Sequence, residues 1–428
     1  MKHTVRQVQL KNGARGLLVH VPGAQVMSFD LNFRAGDYLC SEDKWELAHV
    51  MEHLVLGANQ KHRSSNKFNR VLEENGAYSN AATGAYDIDY YAECADFEWD
   101  RIFDLMILAI SRPLFLETEF TAEMGNVNEE LTQRSNNYAA VLAQSVRKAL
   151  GFMGYTYKAG LESMSKIQLD DVRTFHKLTH FTRNMRFIIS GNIRGRSDQI
   201  ISKLEAISLP EGDSNRLELP EEVGSGKCDQ LYLNYKNVPN LYFTLESLHQ
   251  KVFTEPEIDA ANVVNHILNV GYTSKIFGKA REQGIVYDLS SSSYSTKTTS
   301  GWGIDGQVSR DNAPKLFALI AKEIKKILTD GVDLRDLQHV KKSAIGGYHM
   351  SAQTVFGTAN GYANRFFWDD TVIPYDSYPE RINSVTRERA QDALQKLFAD
   401  ESWMVGFLGT ASKEERENLC STIATIWH

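Results

Sequence analysis

His49, Glu52 and His53 set two imidazoles and a carboxylate on one short stretch, in the order H-x-x-E-H. With Leu47, Ala48, Leu54 and Val55 around them, the segment reads as a helix with an apolar face. On a helix, positions i and i+4 point the same way, so both rings can reach one Zn²⁺ at about 2.0 to 2.1 Å. Glu52 then lies beside the metal, where a carboxylate can take a proton from an attacking water. That arrangement suits hydrolysis of a peptide bond and points to a metallopeptidase more than to a binding module. In a chain with 12 histidines a spacing of four also arises without a metal, as a satisfied surface pair, and a zinc site of this kind needs a third protein ligand.

The frame around this segment is that of an ordinary folded protein. At 428 residues the chain exceeds what one growing core supports, so two or more domains are expected. A hydrophobic fraction of 42% with 24% charged residues excludes a disordered composition. The formal net charge of −7 gives no diffuse attraction to phosphate backbones, so nucleic acid is not an expected partner. Lys322, Lys325 and Lys326 read as a solvated helix face. Cys40, Cys94, Cys228 and Cys420 are widely separated, without a C-x-x-C pair, which argues against a cysteine zinc cluster or a disulfide scaffold. The first residues lack the apolar core of a secretory signal, and no later run reaches the length of a membrane span. A reducing, cytoplasmic location without a membrane partner is the expectation.

Elements that must carry the site follow from patterning. Strands are expected at Val8 to Leu10, Gly16 to His20, Met27 to Arg34, Asp89 to Glu93 and Met185 to Ser190. Helices are expected from Lys44 to Val55, Ser65 to Glu74, Trp99 to Ile110, Thr121 to Tyr138, Ala139 to Leu150 and Val172 to Thr179. The Pro- and Gly-bearing stretch 209–227 reads as an interdomain linker between domains 1–208 and 228–428. Beyond it the order of elements repeats, with strands from Leu231 to Glu246, a helix from Ile258 to Asn269, strands from Asp288 to Thr296 and Gly303 to Val308, a helix from Lys315 to Leu328 and a last strand at Met404 to Leu408. The second early helix holds His266 but no His-Glu-His trio, so one site per chain is expected.

With those residues in place, the chain resembles the pitrilysin and insulin-degrading enzyme family of metallopeptidases (M16), which also includes the mitochondrial processing peptidase and whose zinc motif is the inverted H-x-x-E-H of the inverzincins. The similarity covers nearly the whole chain and is strongest from Gly36 to Glu130, where Phe33 to Gly36, Ala48 to His53, Asn75-Gly76 and Asn80-Ala81 fall in the family's order.

The resemblance implies a third ligand from the pattern E-x-x-x-V-x-x-E, which places it at Glu130 and makes Glu123 an outer carboxylate that orients His53 or His49. Without the family, Glu129-Glu130 reads equally as a solvated helix surface. The resemblance also makes Asn80 and Ala81 part of an edge strand that pairs with substrate backbone. It makes Arg281 and Tyr287 substrate-holding, oxyanion-stabilising groups, although here they are six apart where the family spacing is seven.

The implied fold class is α+β, with two related half-units, each a mixed or antiparallel sheet with packed helices, facing each other across a cleft. The implied function is a zinc metallo-endopeptidase acting on peptides or unfolded polypeptides, with Zn²⁺ as cofactor, Glu52 as general base and a homodimer or related subunit as partner. A noncatalytic subunit of the same fold, serving assembly or substrate recognition, is the competing reading.

Overall fold

The computed structural model describes residues 1–399 and 402–427. Up to residue 205 the chain forms β1 (Thr4–Gln9), β2 (Arg15–His20), β3 (Val26–Phe33), β4 (Tyr78–Thr83), β5 (Ile88–Ala95) and β6 (Met185–Gly191). The same stretch forms α1 (Leu47–Val55), α2 (Ser65–Leu72), α3 (Trp99–Ser111), α4 (Glu117–Ser135), α5 (Tyr138–Leu150), α6 (Tyr157–Met164), α7 (Leu169–Thr179) and α8 (Ser197–Glu205). Later strands are β7 (Cys228–Asn234), β8 (Leu241–His249), β9 (Leu289–Ser295), β10 (Ser300–Val308) and β11 (Trp403–Gly409). Later helices are α9 (Glu255–Asn269), α10 (Phe277–Glu282), α11 (Ala313–Asp330), α12 (Leu334–Ser351), α13 (Val355–Asp369), α14 (Tyr378–Asn383), α15 (Arg387–Leu397) and α16 (Lys413–Ala424).

Two compact units result, and neither is a continuous half of the chain. The first takes Met1–Thr132, Lys158–Leu219 and His349–Asp376; the second takes Gln133–Tyr157, Pro220–Tyr348 and Ser377–His428. The expected domains 1–208 and 228–428 therefore differ from the observed units by two helical excursions, one around α5 and one around α13. The stretch 209–227 contains the boundary but is no free tether. Arg216 donates to the Phe367 carbonyl (2.6 Å) within the first unit, and the buried Glu222 accepts from Met153 N (3.0 Å) within the second.

In the first unit the strands lie in the order β1-β2-β6-β3-β5-β4. Only β2 and β6 are parallel; the other neighbours are antiparallel. Period-two alternation decides what each face meets. On β3, Met27, Phe29, Leu31 and Phe33 are buried on one face, and Phe29 stacks on Phe103 of α3 with ring centroids 4.9 Å apart. Phe33 stacks on His180 at 4.4 Å, just after α7, and Tyr90 of β5 bonds the same imidazole through its hydroxyl at 3.0 Å. The opposite face carries Leu17, Val19 and Ile188, covered by Val355, Ala359, Tyr362 and Phe366 of α13. Asp370, at the C-terminal cap of α13, accepts from Arg186 and from Arg15 (3.2 Å) and so fastens that helix to β6 and β2. Burial pushes the Asp370 carboxyl up, but Arg186, Arg216 and Arg15 more than offset this and hold it below the usual carboxylate range.

The second unit repeats the scheme with the order β7-β11-β8-β10-β9, again with one parallel pair, β7 and β11. Trp302, Phe243, Phe317 and Phe407 centre the core beneath α9, α11 and α15, while α5 lays Leu142, Val146 and Leu150 against Leu248, Met404 and Leu408 on the other face. The order of elements thus matches the repeat expected from the sequence, except that β1 has no counterpart. The helices from α12 to α16 carry a stretch for which sequence patterning assigned no helix.

His176 and His180 stack at 4.5 Å inside the first unit, and burial holds His176 down at about 4 and His180 well below its ordinary value. Between pH 4 and 6.5 the unfolded chain binds the proton that folded His176 does not, so this group makes stability rise with pH through that window. Asp30 and Asp89, whose carboxyls burial pushes up, act in the opposite sense, so the test compares two proteins at the same pH. His176→Gln keeps a donor for the Ile110 carbonyl without titrating. Relative to the parent, its urea-unfolding free energy is expected to improve by about 2 kcal/mol from pH 7 to pH 5.

Candidate metal centre

The site grows from α1. Leu47, Ala48, Val50, Met51, Leu54 and Val55 are all buried, which seats the helix against the sheet and α7. His49 and Glu52 are buried with them, at 6% and 8% exposure, while His53 keeps an open edge. One ligand atom each of His49, Glu52 and His53 lies within 4.8 Å of the others. The two rings stand nearly perpendicular, at 78°, with centroids 4.9 Å apart.

The third component comes from α4, which holds Val127 and Leu131 in the core and turns a polar stripe of Glu119, Glu123, Asn126 and Glu130 toward α1. Glu119 anchors it: one oxygen accepts from Ser65 N (2.7 Å) and Ser65 Oγ (2.6 Å), the other from Ala58 N (2.8 Å). Further along, Glu130 Oε2 lies 3.4 Å from His49 Nε2 and 3.5 Å from His53 Nε2. Glu129 is exposed instead. Two imidazole nitrogens and one carboxylate oxygen therefore converge, the donor set of an open zinc site.

Both rings are held from behind. His53 Nδ1 is 2.9 Å from Glu123 Oε2, which also accepts from Asn126 Nδ2 at 3.2 Å. His49 Nδ1 is 3.0 Å from Glu46 Oε2. Burial works against protonation of His53, but the bond to Glu123 and the charges of Glu52, Glu123 and Glu130 outweigh it and hold the ring above its ordinary value. That same bond, helped by Asn126, holds Glu123 below the usual carboxylate range. Glu46 was not singled out in the sequence, although Glu46, His49 and His53 stand at i, i+3 and i+7 on one helix face.

Beside the convergence, Glu52 Oε2 accepts from Thr83 Oγ1 at 3.0 Å. Thr83 ends β4, the edge strand of its sheet, so the carboxylate is tied to the strand that carries Asn80 and Ala81. Asn80 is exposed and donates to the Tyr78 hydroxyl (3.3 Å), while Ala81 is buried. Arg281 and Tyr287 belong to the second unit, where they meet each other. The Arg281 guanidinium lies 4.5 Å from the Tyr287 ring centroid and bonds the Tyr287 carbonyl, and the tyrosine as a residue is 82% exposed.

Comparison with known proteins identifies the family. The family pattern described as Insulinase (Peptidase family M16) matches residues 17–161, and that described as Peptidase M16 inactive domain matches residues 166–344. The chain is 22% identical over 344 residues to a Helicobacter pylori protein named a non-peptidase homolog, covering 79% of this chain and 78% of that protein. It is 23% identical over 321 residues to the insulin-degrading enzyme of Drosophila melanogaster, covering 69% of this chain but 31% of that enzyme. The solved structure of a protease from H. pylori overlays with a TM-score of 0.85 at 17% identity, covering 95% of this chain and all (100%) of that one. A peptidase M16 inactive domain from Pseudomonas fluorescens overlays with a TM-score of 0.84 at 15% identity, covering 96% of this chain and 99% of that one. The chain belongs to peptidase family M16, the family of insulin-degrading enzyme.

Proposed function

We propose that this chain is a zinc metallo-endopeptidase that hydrolyses peptides or unfolded polypeptide segments. The observation that carries the reading is the convergence of His49 Nε2, His53 Nε2 and Glu130 Oε2 with the Glu52 carboxylate beside them. Those three donors would hold the metal. Zn²⁺ bound there supplies a Lewis acid that polarises the scissile carbonyl and acidifies water toward a pKa of about 7. Glu52 takes the proton from the attacking water and passes it to the departing amine. Thr83, by holding one Glu52 oxygen, fixes the direction of that transfer. The outer edge of β4 offers main-chain groups to an extended peptide, a mode that reads little sequence. Tyr287 enters the proposal as an exposed hydroxyl donor, with Arg281 stacked on it. Pairing with a second copy or a related subunit rests on the family resemblance alone.

A second reading, a noncatalytic subunit for substrate recognition, is favoured by the H. pylori relative that bears the name non-peptidase homolog. Cleavage of a mixed library of short unstructured peptides separates the two. Zinc-loaded parent protein should cleave, and Glu52→Gln with equal metal content should lose roughly 10² to 10⁴ in rate. A folded, zinc-loaded parent without cleavage carries the noncatalytic reading instead.

The ligand set has its own test. Glu130→Gln is expected to weaken zinc binding, measured against a chromophoric chelator, by more than the roughly 10 to 100-fold typical of outer-shell losses. Glu129→Gln, one position along the same helix, should leave affinity unchanged.

A further inference from the structure

Glu46 occupies the N-cap position of α1, where a side-chain oxygen ordinarily accepts from the free N–H groups of the first turn. Here it makes no such capping bond. Its carboxylate turns instead to the ring of His49, with Oε2 3.0 Å from Nδ1. Among the described residues no lysine or arginine forms an ion pair with it. A carboxylate buried without a lysine or arginine partner, and not spent on the helix end, depends on its bond to His49 to offset its desolvation.

The surroundings are shaped to admit it. Gly160 of α6 faces the carboxylate so closely that a Cβ at that position would stand 2.4 Å from Glu46 Oε1. One turn later Ser163 donates its hydroxyl to the Gly160 carbonyl (2.8 Å) and lies 3.4 Å from Glu46 N. Gly160 has no need of a positive φ, so the space it leaves for Glu46 is the reason the structure offers for glycine there.

What the bond does follows from the donor inventory of imidazole. A carboxylate only accepts, so His49 must donate from Nδ1, which leaves the Nε2 lone pair facing Glu130 and His53. His53 is held in the same way by Glu123. Each histidine thus has its own carboxylate, one from the start of its own helix and one from α4.

We propose that Glu46 is a positioning residue of the metal site, fixing the tautomer and ring direction of His49, and that Gly160 is the small residue that makes room for it. The inference rests on the metallopeptidase reading above. It adds a residue that touches neither substrate nor metal and acts only through His49.

The test is zinc affinity of the full chain by competition with a chromophoric chelator, together with the visible absorption of the cobalt-substituted protein. Outer-shell carboxylates of metal-bound histidines are worth about 10 to 100-fold in affinity, so Glu46→Ala should lose that much and shift the cobalt bands. Glu46→Gln keeps the size and one acceptor oxygen, and should recover part of the loss. Gly160→Ala leaves Glu46 in the chain but displaces it, and should weaken zinc in the same direction. If Glu46→Ala does not fold, Glu46→Gln and Gly160→Ala carry the test, and unchanged affinity and cobalt spectra in both overturn the proposal. Parent-like zinc affinity in Glu46→Ala, with only its metal-free melting temperature lowered, makes Glu46 a structural group and overturns the proposal alone. Failure of the parent to bind zinc overturns it together with the reading on which it rests.

Discussion

Two carboxylates stand behind two imidazoles, and that constraint governs what the front of the site can be. Because Glu46 and Glu123 accept from the Nδ1 atoms of His49 and His53, the Nε2 atoms are left to converge with Glu130. A free histidine pair at i and i+4 could rotate either nitrogen outward. Here rotation is opposed by the bond at each ring's back and by burial of every residue of α1 except His53. The remaining fold serves to bring α4 to α1 at the right height, and Glu119 sets that height by bonding Ala58, just beyond the end of α1, and Ser65, the first residue of α2.

The sheet supplies the other fixed reference. β4 is the outermost strand of its unit, and its last residue, Thr83, bonds the Glu52 carboxylate. Glu52, the proposed base, and β4, the proposed substrate edge, are therefore joined directly by a hydrogen bond. Behind β4, Tyr90 of β5 is buried and bonded to His180, and His180 stacks on Phe33. Aromatic and imidazole rings in van der Waals contact leave little freedom for the strand to slide, since interiors packed to this density resist shifts of even a methylene group.

Much of this was legible in the sequence because its signals are local. The apolar residues flanking His49 and His53 gave α1, and period-two alternation gave β3 and β5. Glu130 was assigned from a family pattern, since Glu129 and Glu130 are chemically identical and only their helix phase separates an exposed carboxylate from one facing the histidines. The 4-3-4 spacing of Glu119, Glu123, Asn126 and Glu130 would have supplied that phase from the sequence alone. Glu46 stands three residues before His49, outside the H-x-x-E-H motif, and only its place on the same helix face marks it in the sequence. The exchange of α5 and α13 between units was illegible for another reason. α13 is weakened as a helix by Gly357 and Gly361, whose absent side chains are demanded by contacts with the Ser351 carbonyl and the Tyr375 ring, 2.1 and 2.3 Å from where a Cβ would be. Tertiary packing fixed those residues, and periodicity does not report it.

The electrostatics of the site bear on which of the two functional readings is physically economical. Glu46, Glu52, Glu123 and Glu130 gather around two imidazoles, with His49 and Glu52 buried. Like charges at such distances oppose folding, and burying them adds a desolvation cost. An apolar filling of α1 and α4 would pack as well or better, so the gathered carboxylates are a cost that the proposed zinc reading has to offset. A divalent cation changes the balance, since binding to the folded state alone adds stability in proportion to the logarithm of its concentration over its dissociation constant. Under the proposed zinc reading, the charges that oppose folding of the metal-free site supply the affinity for the ion.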